Sequence, residues 1–331
     1  MLQHKRYLQI LFLILGIILT STMGYAYYFS KTYPLPFTNR ISFDAKIKFI
    51  REHIDVDKID TIVVGSSIGL NDVQGAYLEK ASKVCKHVLN LSVFEASPVQ
   101  VEQLLMLEDA FPNLKRIVYS AQFSDFQHAS SFRDYHPKWI SKYIAHKMSP
   151  IVETKFLADA AKNIAFLEKR EEKWKKEHLQ SNKFTYLGFD HTGSVPLHIF
   201  EKDTYNNPFN ARRWNNPHGS RYVPKAFEAL DRISKDAYKK GIKFYMVQQP
   251  YRQELIRKYK HIPAELKVFL HRITKIVTKN HGEVLSLYRE LPLDDTCFAD
   301  RVHLNEKGSK LSAEAIGRFI DKVEKGTSNN R

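Results

Sequence analysis

The sequence contains little cysteine, no repeat and no metal-binding motif. Its two cysteines allow at most one disulfide bond. There is no internal repeat or low-complexity tract, and a content of 43% hydrophobic and 26% charged residues indicates a globular protein rather than a disordered one. The histidines lack the spacing of metal ligands, so we expect no metal site; they include His136, His191, His198 and His218.

Formal charge is also absent from the side chains between Tyr7 and Ser30. This run holds an apolar core of about 23 residues, or roughly 35 Å as a helix, which is enough to cross a bilayer. Basic residues at 4–6 precede it, so the positive-inside rule predicts a cytoplasmic N-terminus and a single-pass anchor at residues 1–30 in the cell membrane. The rest of the chain would be extracytoplasmic. A cleavable signal peptide is the competing interpretation, because small residues occur near the end of the run.

Acidic residues are outnumbered by basic ones, 36 against 51, which gives a formal net charge of +15. A basic excess of this size favours anionic partners. If the domain is exported, nucleic acid is excluded, and the membrane surface or an anionic envelope polymer becomes the expected partner.

Five short apolar runs predict the strands of a parallel sheet. They lie at 61–65, 87–92, 116–122, 243–249 and 283–288, and helical patterns occupy 41–53, 99–111, 223–240, 263–280 and 306–325. Strands that alternate with helices of this length predict an α/β fold with helices on both faces of the sheet. Residues 31–54 would form a tether and linking helix, residues 55–325 the domain, and residues 326–331 a disordered tail.

The third and fourth strands are separated by roughly 120 residues, far more than one crossover needs. We predict an inserted, mainly helical lid at about 128–222, which includes a charged helix at 165–178. A cluster within it, Arg212, Arg213 and Trp214, combines guanidinium donors with an aromatic face. This cluster suits an anionic glycan or phosphate polymer, although an ordered surface loop explains it equally well.

Two motifs at opposite ends of the strand pattern carry the chemistry. Gly65-Ser66-Ser67 follows the first strand, and the run from Asp300 to Asn305, which contains His303, follows the fifth. Both therefore reach the carboxyl edge of the sheet, where α/β proteins bind ligands. His303 can serve as the base that a serine nucleophile needs, and Asp300 can orient the imidazole. Arg252 follows the fourth strand at the same edge and is a candidate substrate contact.

These motifs resemble those of the SGNH (GDSL-like) hydrolase superfamily. More narrowly they resemble its membrane-anchored branch, which includes the D-alanyl-transfer protein of teichoic acid synthesis and alginate-type O-acetyltransferases. The resemblance covers residues 55–125 and 240–325 and the N-terminal anchor. It implies a flavodoxin-like three-layer fold with Ser67, His303 and Asp300 as the catalytic triad. It also implies acyl transfer to an envelope polysaccharide or anionic glycopolymer, without a cofactor, and a membrane-bound partner that supplies acyl groups.

The oxyanion-hole motifs depart from the family pattern. Serine and glutamate, Ser92 and Glu95, occupy positions where glycine is common, and Gln122 ends the third strand where the family has asparagine. We expect the hole to form from the Ser67 N–H, an N–H near Ser92 and the Gln122 amide. Losing one such donor costs about 3–4 kcal/mol. Three functions stay open: an acyltransferase, an anchored esterase or deacetylase with the same triad, and a non-catalytic glycan-binding or assembly protein.

The two cysteines are expected to stay unpaired. Cys85 precedes the second strand and Cys297 follows the fifth, so they lie at opposite edges of the sheet. A strand spans about 17–20 Å, whereas a disulfide requires Cα atoms within roughly 7 Å. We therefore predict two free thiols.

Overall fold

The computed structural model describes residues 2–133, 135–148, 157–178, 186–198, 222–300 and 302–328. It shows an α/β protein with a five-stranded, all-parallel sheet and one N-terminal apolar helix. The strands run in the order β2-β1-β3-β4-β5. Their bounds are β1 (Thr61–Gly65), β2 (Val88–Asn90), β3 (Arg116–Ala121), β4 (Lys243–Gln248) and β5 (Glu283–Ser286).

Helices join and flank these strands; those predicted at 41–53, 165–178, 223–240 and 263–280 match within a residue, whereas the one predicted at 99–111 ends at Leu105. They are α1 (Leu2–Thr32), α2 (Ile41–His53), α3 (Ser67–Asp72), α4 (Gly75–Ala81), α5 (Pro98–Leu105), α6 (Pro137–Ile144), α7 (Ile164–His178), α8 (Pro224–Lys239), α9 (Gln253–Lys258), α10 (Ile262–Lys279), α11 (Leu287–Glu290) and α12 (Glu306–Ser328). The last helix extends past residue 325, so the predicted tail begins too early.

Alternate residues of the central strands face opposite layers of helices. Ile62 and Val64 of β1 pack in a core with α2, α5, α8 and α10, whereas Val63 packs on the other face with α4 and α12. The same alternation places Tyr119 and Val118 of β3 in the two different cores. Both faces of the sheet are therefore covered, which explains why the strands are continuous apolar runs.

Part of the chain between β3 and β4 covers the outer edge of β2. The Asn90 N–H of β2 donates to the Thr192 carbonyl at 2.7 Å, and the Val195 N–H donates to the Leu70 carbonyl of α3 at 3.0 Å. The segment 186–198 therefore protects an edge strand. It also reaches the helix that begins at Ser67.

The end of α1 is part of the folded domain. Ala26 and Phe29 are buried against Leu167 of α7, and the hydroxyl groups of Tyr25 and Tyr33 both donate to Glu171, at 2.8 and 3.1 Å. The expected tether is also packed, since Leu35 is buried in the larger core. It is therefore not a free linker.

The residues His4–Thr32 form a helix that is long and apolar enough to cross a membrane. Its length and composition fit an anchor or a signal sequence. Cys85 and Cys297 are both buried and free, as the strand placement predicts.

Candidate active site

Ser67 is held at a sharp turn from β1 into α3. Ser66 is the N-cap of the helix, and its Oγ accepts from the Ile68 N–H at 3.2 Å. A glycine is required at position 65, because a Cβ there would collide with the Ser120 carbonyl of the neighbouring strand. The turn thus makes Ser67 the first residue of a helix at the carboxyl edge of the sheet.

Ser67, His303 and Asp300 are hydrogen-bonded in series. The Nε2 atom of His303 lies 2.8 Å from Ser67 Oγ, and its Nδ1 atom lies 3.0 Å from Asp300 Oδ2. The other Asp300 oxygen accepts the N–H groups of Val302 and His303, both at 2.7 Å. Because Asp300 accepts from Nδ1–H, the neutral ring presents its Nε2 lone pair to the serine hydroxyl.

The charge balance around His303 favours the protonated ring. Burial disfavours the imidazolium, but the carboxylate of Asp300, with smaller contributions from Asp72 and Asp125, outweighs burial and raises the pKa of His303 to about 9. Burial likewise opposes the charge of Asp300, yet its interaction with His303 lowers the pKa of that carboxyl below its usual range. The fraction of His303 that is neutral, and so able to accept a proton, therefore increases as the pH rises through about 9.

Two of the three expected oxyanion donors are used elsewhere. The Ser92 N–H donates to Asn90 Oδ1 at 3.0 Å, and the Gln122 amide donates to the carbonyls of Pro250 and Val302, both at 3.1 Å. The N–H of Ser67 belongs to the first residue of α3, ahead of the hydrogen-bond ladder of the helix, and its oxyanion role stays a prediction. Gln122 instead ties the end of β3 to the loop that carries His303.

Arg252 lies beneath the site instead of in the cleft. Its side chain is 2% exposed, and it lies 3.6 Å from Asp295 and 3.5 Å from both Glu254 and the Asp300 carbonyl. The guanidinium thus lies against the loop of Asp300, and a contact of Arg252 with substrate stays a prediction. The other predicted substrate contacts, Arg212, Arg213 and Trp214, lie outside the described residues.

Asp72 contacts the loop of His303, and the sequence did not identify it as a site residue. It ends α3, five residues after Ser67, and is fully buried. Its Oδ1 accepts the N–H of Leu304, the residue after His303, at 2.8 Å. A carboxyl five residues from a serine is too common a pattern to have identified it, because only the approach of the C-terminal loop gives it a role.

Other polar residues singled out in the sequence lie in ordinary surface pairs. Glu95 is exposed and pairs with Arg40 at 2.8 Å, and His198 pairs with Glu306 at 2.8 Å. Within the described ranges, no group of three or more His, Cys, Asp or Glu side chains is placed to hold a metal ion. His218 lies outside those ranges.

The arrangement as a whole can perform nucleophilic acyl chemistry: a hydroxyl, a base bonded to it, and a carboxylate that orients the base. In comparisons with known proteins, no protein-family model and no curated protein matches the chain.

Proposed function

We propose that this chain is a membrane-anchored serine acyltransferase of the SGNH type that O-acylates an envelope polysaccharide or anionic glycopolymer. The observation that carries the proposal is the series of hydrogen bonds from Ser67 through His303 to Asp300. These groups come from opposite ends of the domain, 236 residues apart for the first pair. A Ser–His contact alone also occurs in proteins without catalytic function. Nucleophilic catalysis needs in addition a third group that fixes the tautomer of the histidine, as Asp300 does here.

The chemistry proceeds through an acyl-serine. The Ser67 oxygen attacks the carbonyl carbon of an acyl donor while its proton passes to Nε2 of His303, and Asp300 stabilises the imidazolium. The tetrahedral intermediate collapses, and the leaving group takes that proton. A hydroxyl of the acceptor glycan then gives its proton to Nε2 and attacks the acyl carbon, and Ser67 is released with its proton restored.

The fold agrees with this proposal. The strand order 2-1-3-4-5 is that of flavodoxin-like sheets, which bind ligands at the carboxyl ends of the strands. Ser67, Asp300 and His303 lie at that edge. This strand order and the position of the three residues support the proposal alongside the motifs.

Retention of the N-terminal helix as an anchor is supported by its packing. Removing α1 would expose two buried side chains that pack in the same cluster as Ala26 and Phe29. They are Ala160 and, on α7, Leu167. The basic residues before the span then favour a cytoplasmic N-terminus and an extracytoplasmic domain. The net charge of +15 favours an anionic acceptor there. A membrane-bound protein would supply the acyl group.

Reaction with a fluorophosphonate probe tests the proposed nucleophile. The full-length protein in detergent should label at Ser67, and Ser67→Ala should abolish labelling. Ser66→Ala is the matched control, since the Ser66 hydroxyl caps the helix, whereas the Ser67 hydroxyl is the one bonded to His303 Nε2; it should keep labelling. Absence of labelling in the folded wild type would reject a working triad.

Transfer and hydrolysis are separated by the fate of the acyl group. Full-length protein supplied with a p-nitrophenyl ester should pass the acyl group to added glycan in preference to water. Release to water alone, unaffected by glycan, would replace the transferase by the anchored esterase or deacetylase.

The second candidate is a non-catalytic glycan-binding or assembly protein on the same fold. The commitment of the Ser92 N–H and the Gln122 amide to other acceptors favours it, since each missing oxyanion donor costs about 3–4 kcal/mol of transition-state stabilisation. Glycan binding by a protein that resists the fluorophosphonate would support this candidate.

A further inference from the structure

Two helices of the inserted region contact the chain where it leaves α1. The ring of Phe37, five residues after the end of α1, lies 5.0 Å from the ring of Tyr143 on α6. The carbonyl of the next residue, Thr38, accepts from Arg170 of α7 at 3.4 Å. Both helices therefore adjoin the segment that connects the apolar helix to the domain.

Packing fixes the position of these helices relative to α1. Ala26 and Phe29, near the end of α1, pack on Leu167 of α7. The segment after α1 is also held, because Leu35 is buried in the larger core. The domain therefore cannot turn freely about the apolar helix, and α6 and α7 stay next to its end.

The contact between α1 and α7 lies at the level of the lipid headgroups if α1 spans a bilayer. From Tyr7 to Tyr25 the helix covers roughly 27 Å without a charged side chain, against a hydrocarbon core of roughly 30 Å. The Tyr25 hydroxyl donates to Glu171 of α7 at 2.8 Å. A carboxylate is costly inside the hydrocarbon, so α7 meets α1 at its outer boundary.

Each of the two helices exposes an aromatic side chain. Trp139 of α6 is 41% exposed, and Phe166 of α7 is 47% exposed. The Phe166 ring lies 5.6 Å from the Arg170 guanidinium, yet nearly half of the residue faces solvent. Aromatic residues with a solvent-exposed face are typical of the boundary between membrane and water, where tryptophan is enriched.

Lysines accompany Trp139 on α6. Lys138 and Lys142 are both exposed, and the residues 135–148 include no acidic side chain. The opposite face of the helix is apolar and packs in the larger core through Ile140, Tyr143 and Ile144. The outward face of α6 therefore combines a tryptophan with positive charge.

Lysines also lie on the face of α7 that carries Phe166. Lys169 and Lys173 follow it by three and seven residues and are exposed, and Lys173 pairs with Glu177 at 3.6 Å. The exposed acids of the helix follow Phe166 by two and six residues, which places them on another face: Glu168 and Glu172.

We propose that α6 and α7 form a second contact of this protein with the membrane, in which Trp139 and Phe166 enter the headgroup layer and the lysines beside them bind anionic lipid headgroups. Lysine stems lie along apolar surface while their ammonium groups reach the headgroups, and each such lysine is attracted to a negative lipid surface. The inference rests on the proposed anchoring of α1 and is independent of acyl chemistry.

The end of α8 provides a matched comparison. Tyr238 is 55% exposed there, and Lys235 and Lys239 have the same four-residue spacing as the lysines of α6. This helix packs on α5 and α10, whereas α6 and α7 adjoin the chain that leaves α1. A similar surface in a different place separates the effect of composition from the effect of position.

The test places the environment-sensitive fluorophore NBD at single cysteines of full-length protein in lipid nanodiscs. Trp139→Cys and Phe166→Cys are the test sites, Tyr238→Cys is the control, and the native cysteines Cys85 and Cys297 are buried. Labels at the test sites should lose emission to a nitroxide-bearing lipid and be protected from aqueous iodide. The control label should show the reverse.

Test labels as accessible to iodide as the control label, and insensitive to the lipid nitroxide, would overturn the proposal. Phe166 would then serve only to shield Arg170. A measurement without added cysteines guards against misfolded variants: quenching of tryptophan fluorescence by brominated lipid should fall in Trp139→Phe, and unchanged quenching would also count against the contact.

The lipid charge tests the role of the lysines. Nitroxide quenching of the label at position 139 should be stronger with phosphatidylglycerol present than in phosphatidylcholine alone. Lys138→Gln/Lys142→Gln should remove that difference, whereas Lys235→Gln/Lys239→Gln, with the same change of charge, should keep it. Equal quenching in the two lipids, or equal effects of the two double variants, would overturn the assignment to anionic headgroups.

These results are distinguishable from failure of the acyltransferase. Lipid quenching at the test sites in a protein that resists the fluorophosphonate would leave the membrane contact in place and reject the enzyme. A reactive Ser67 with water-exposed test labels would do the opposite. Mass spectrometry that shows α1 to be removed in cells would reject both the anchor and the contact.

Discussion

At the scale of single residues, the hydrogen bonds of Asp300 and Gln122 determine how the loop of His303 is held. Asp300 uses one oxygen for the imidazole and the other for two backbone N–H groups, so the same side chain shapes the loop and orients the base. Gln122 has a similar double contact, but with two carbonyl groups, Pro250 and Val302. Its amide therefore stabilises the base loop and is not directed at a substrate.

The pH dependence of labelling follows from the state of His303. Its pKa of about 9 means that the ring must lose a proton before it can accept one from Ser67, so the labelling rate of wild-type protein should rise from neutral pH to about pH 9. Asp300→Asn removes the main favourable charge, and its NH2 group can donate to Nδ1 and so favour the tautomer in which Nε2 no longer accepts. The midpoint should then move to lower pH, and the maximal rate should fall by about 10³–10⁴.

Rates measured across a pH series with each protein would check this prediction, with Ser67→Ala as the blank. A wild-type profile that is already flat at neutral pH would show that His303 does not titrate as the structure indicates.

At the scale of elements, the inserted region is joined to the domain by a buried ion pair. Arg170 of α7 lies 2.5 Å from Asp44 of α2, and both side chains are almost inaccessible, at 8% and 0% exposure. Thr38 donates to the other Asp44 oxygen through its N–H and hydroxyl, at 3.0 and 3.2 Å. A pair of this kind fixes the position of α7, because neither charge can be left alone in the interior.

Breaking the ion pair on one side should be costly. Burial raises the pKa of Asp44 to about 8 even beside Arg170. Above that pH, Arg170→Met leaves the carboxylate buried without its counter-charge, so the free energy of unfolding should fall by about 3–5 kcal/mol. The double variant Asp44→Asn/Arg170→Met should recover a large part of that loss. Chemical denaturation of the full-length protein in detergent measures both.

The exposed pair of Arg232 and Glu102, also 2.5 Å apart, serves as the control for the buried one. Because Arg232 is about half exposed, Arg232→Met should change the free energy of unfolding by less than about 1 kcal/mol. Equal effects at the two sites would contradict the role assigned to Arg170.

At the scale of the whole molecule, the N-terminal helix and the α/β domain are joined through α7. Phe29 and Ala26 of α1 pack on Leu167. Tyr25 of α1 and Tyr33, the residue after the helix, both donate to Glu171. The chain leaving α1 then enters the main core at Leu35. If α1 is an anchor, the domain is attached at the membrane surface by packed elements and not by a flexible linker.

The proposed orientation can be tested with single reactive cysteines. Cys85 and Cys297 are 0% and 2% exposed, so they provide a silent background. Met106 is 50% exposed on the domain, and His4 is the first residue of the apolar helix, ahead of the uncharged run that begins at Tyr7. In spheroplasts, Met106→Cys should react with a membrane-impermeant maleimide, whereas His4→Cys should react only after permeabilisation. The reverse labelling pattern would place the domain in the cytoplasm and end the envelope proposal.

The sequence by itself determined the parallel sheet and the arrival of Ser67, His303 and Asp300 at one edge. It could do so because β-branched runs, caps and the carboxyl-edge rule depend on neighbours along the chain. Only the tertiary structure decided the hydrogen-bond partners of Gln122 and Ser92, the burial of Arg252 and the contact between Asp72 and Leu304. The contacts of Gln122 with Val302 and of Asp72 with Leu304 join segments that lie more than a hundred residues apart, so local patterns carry no information about them.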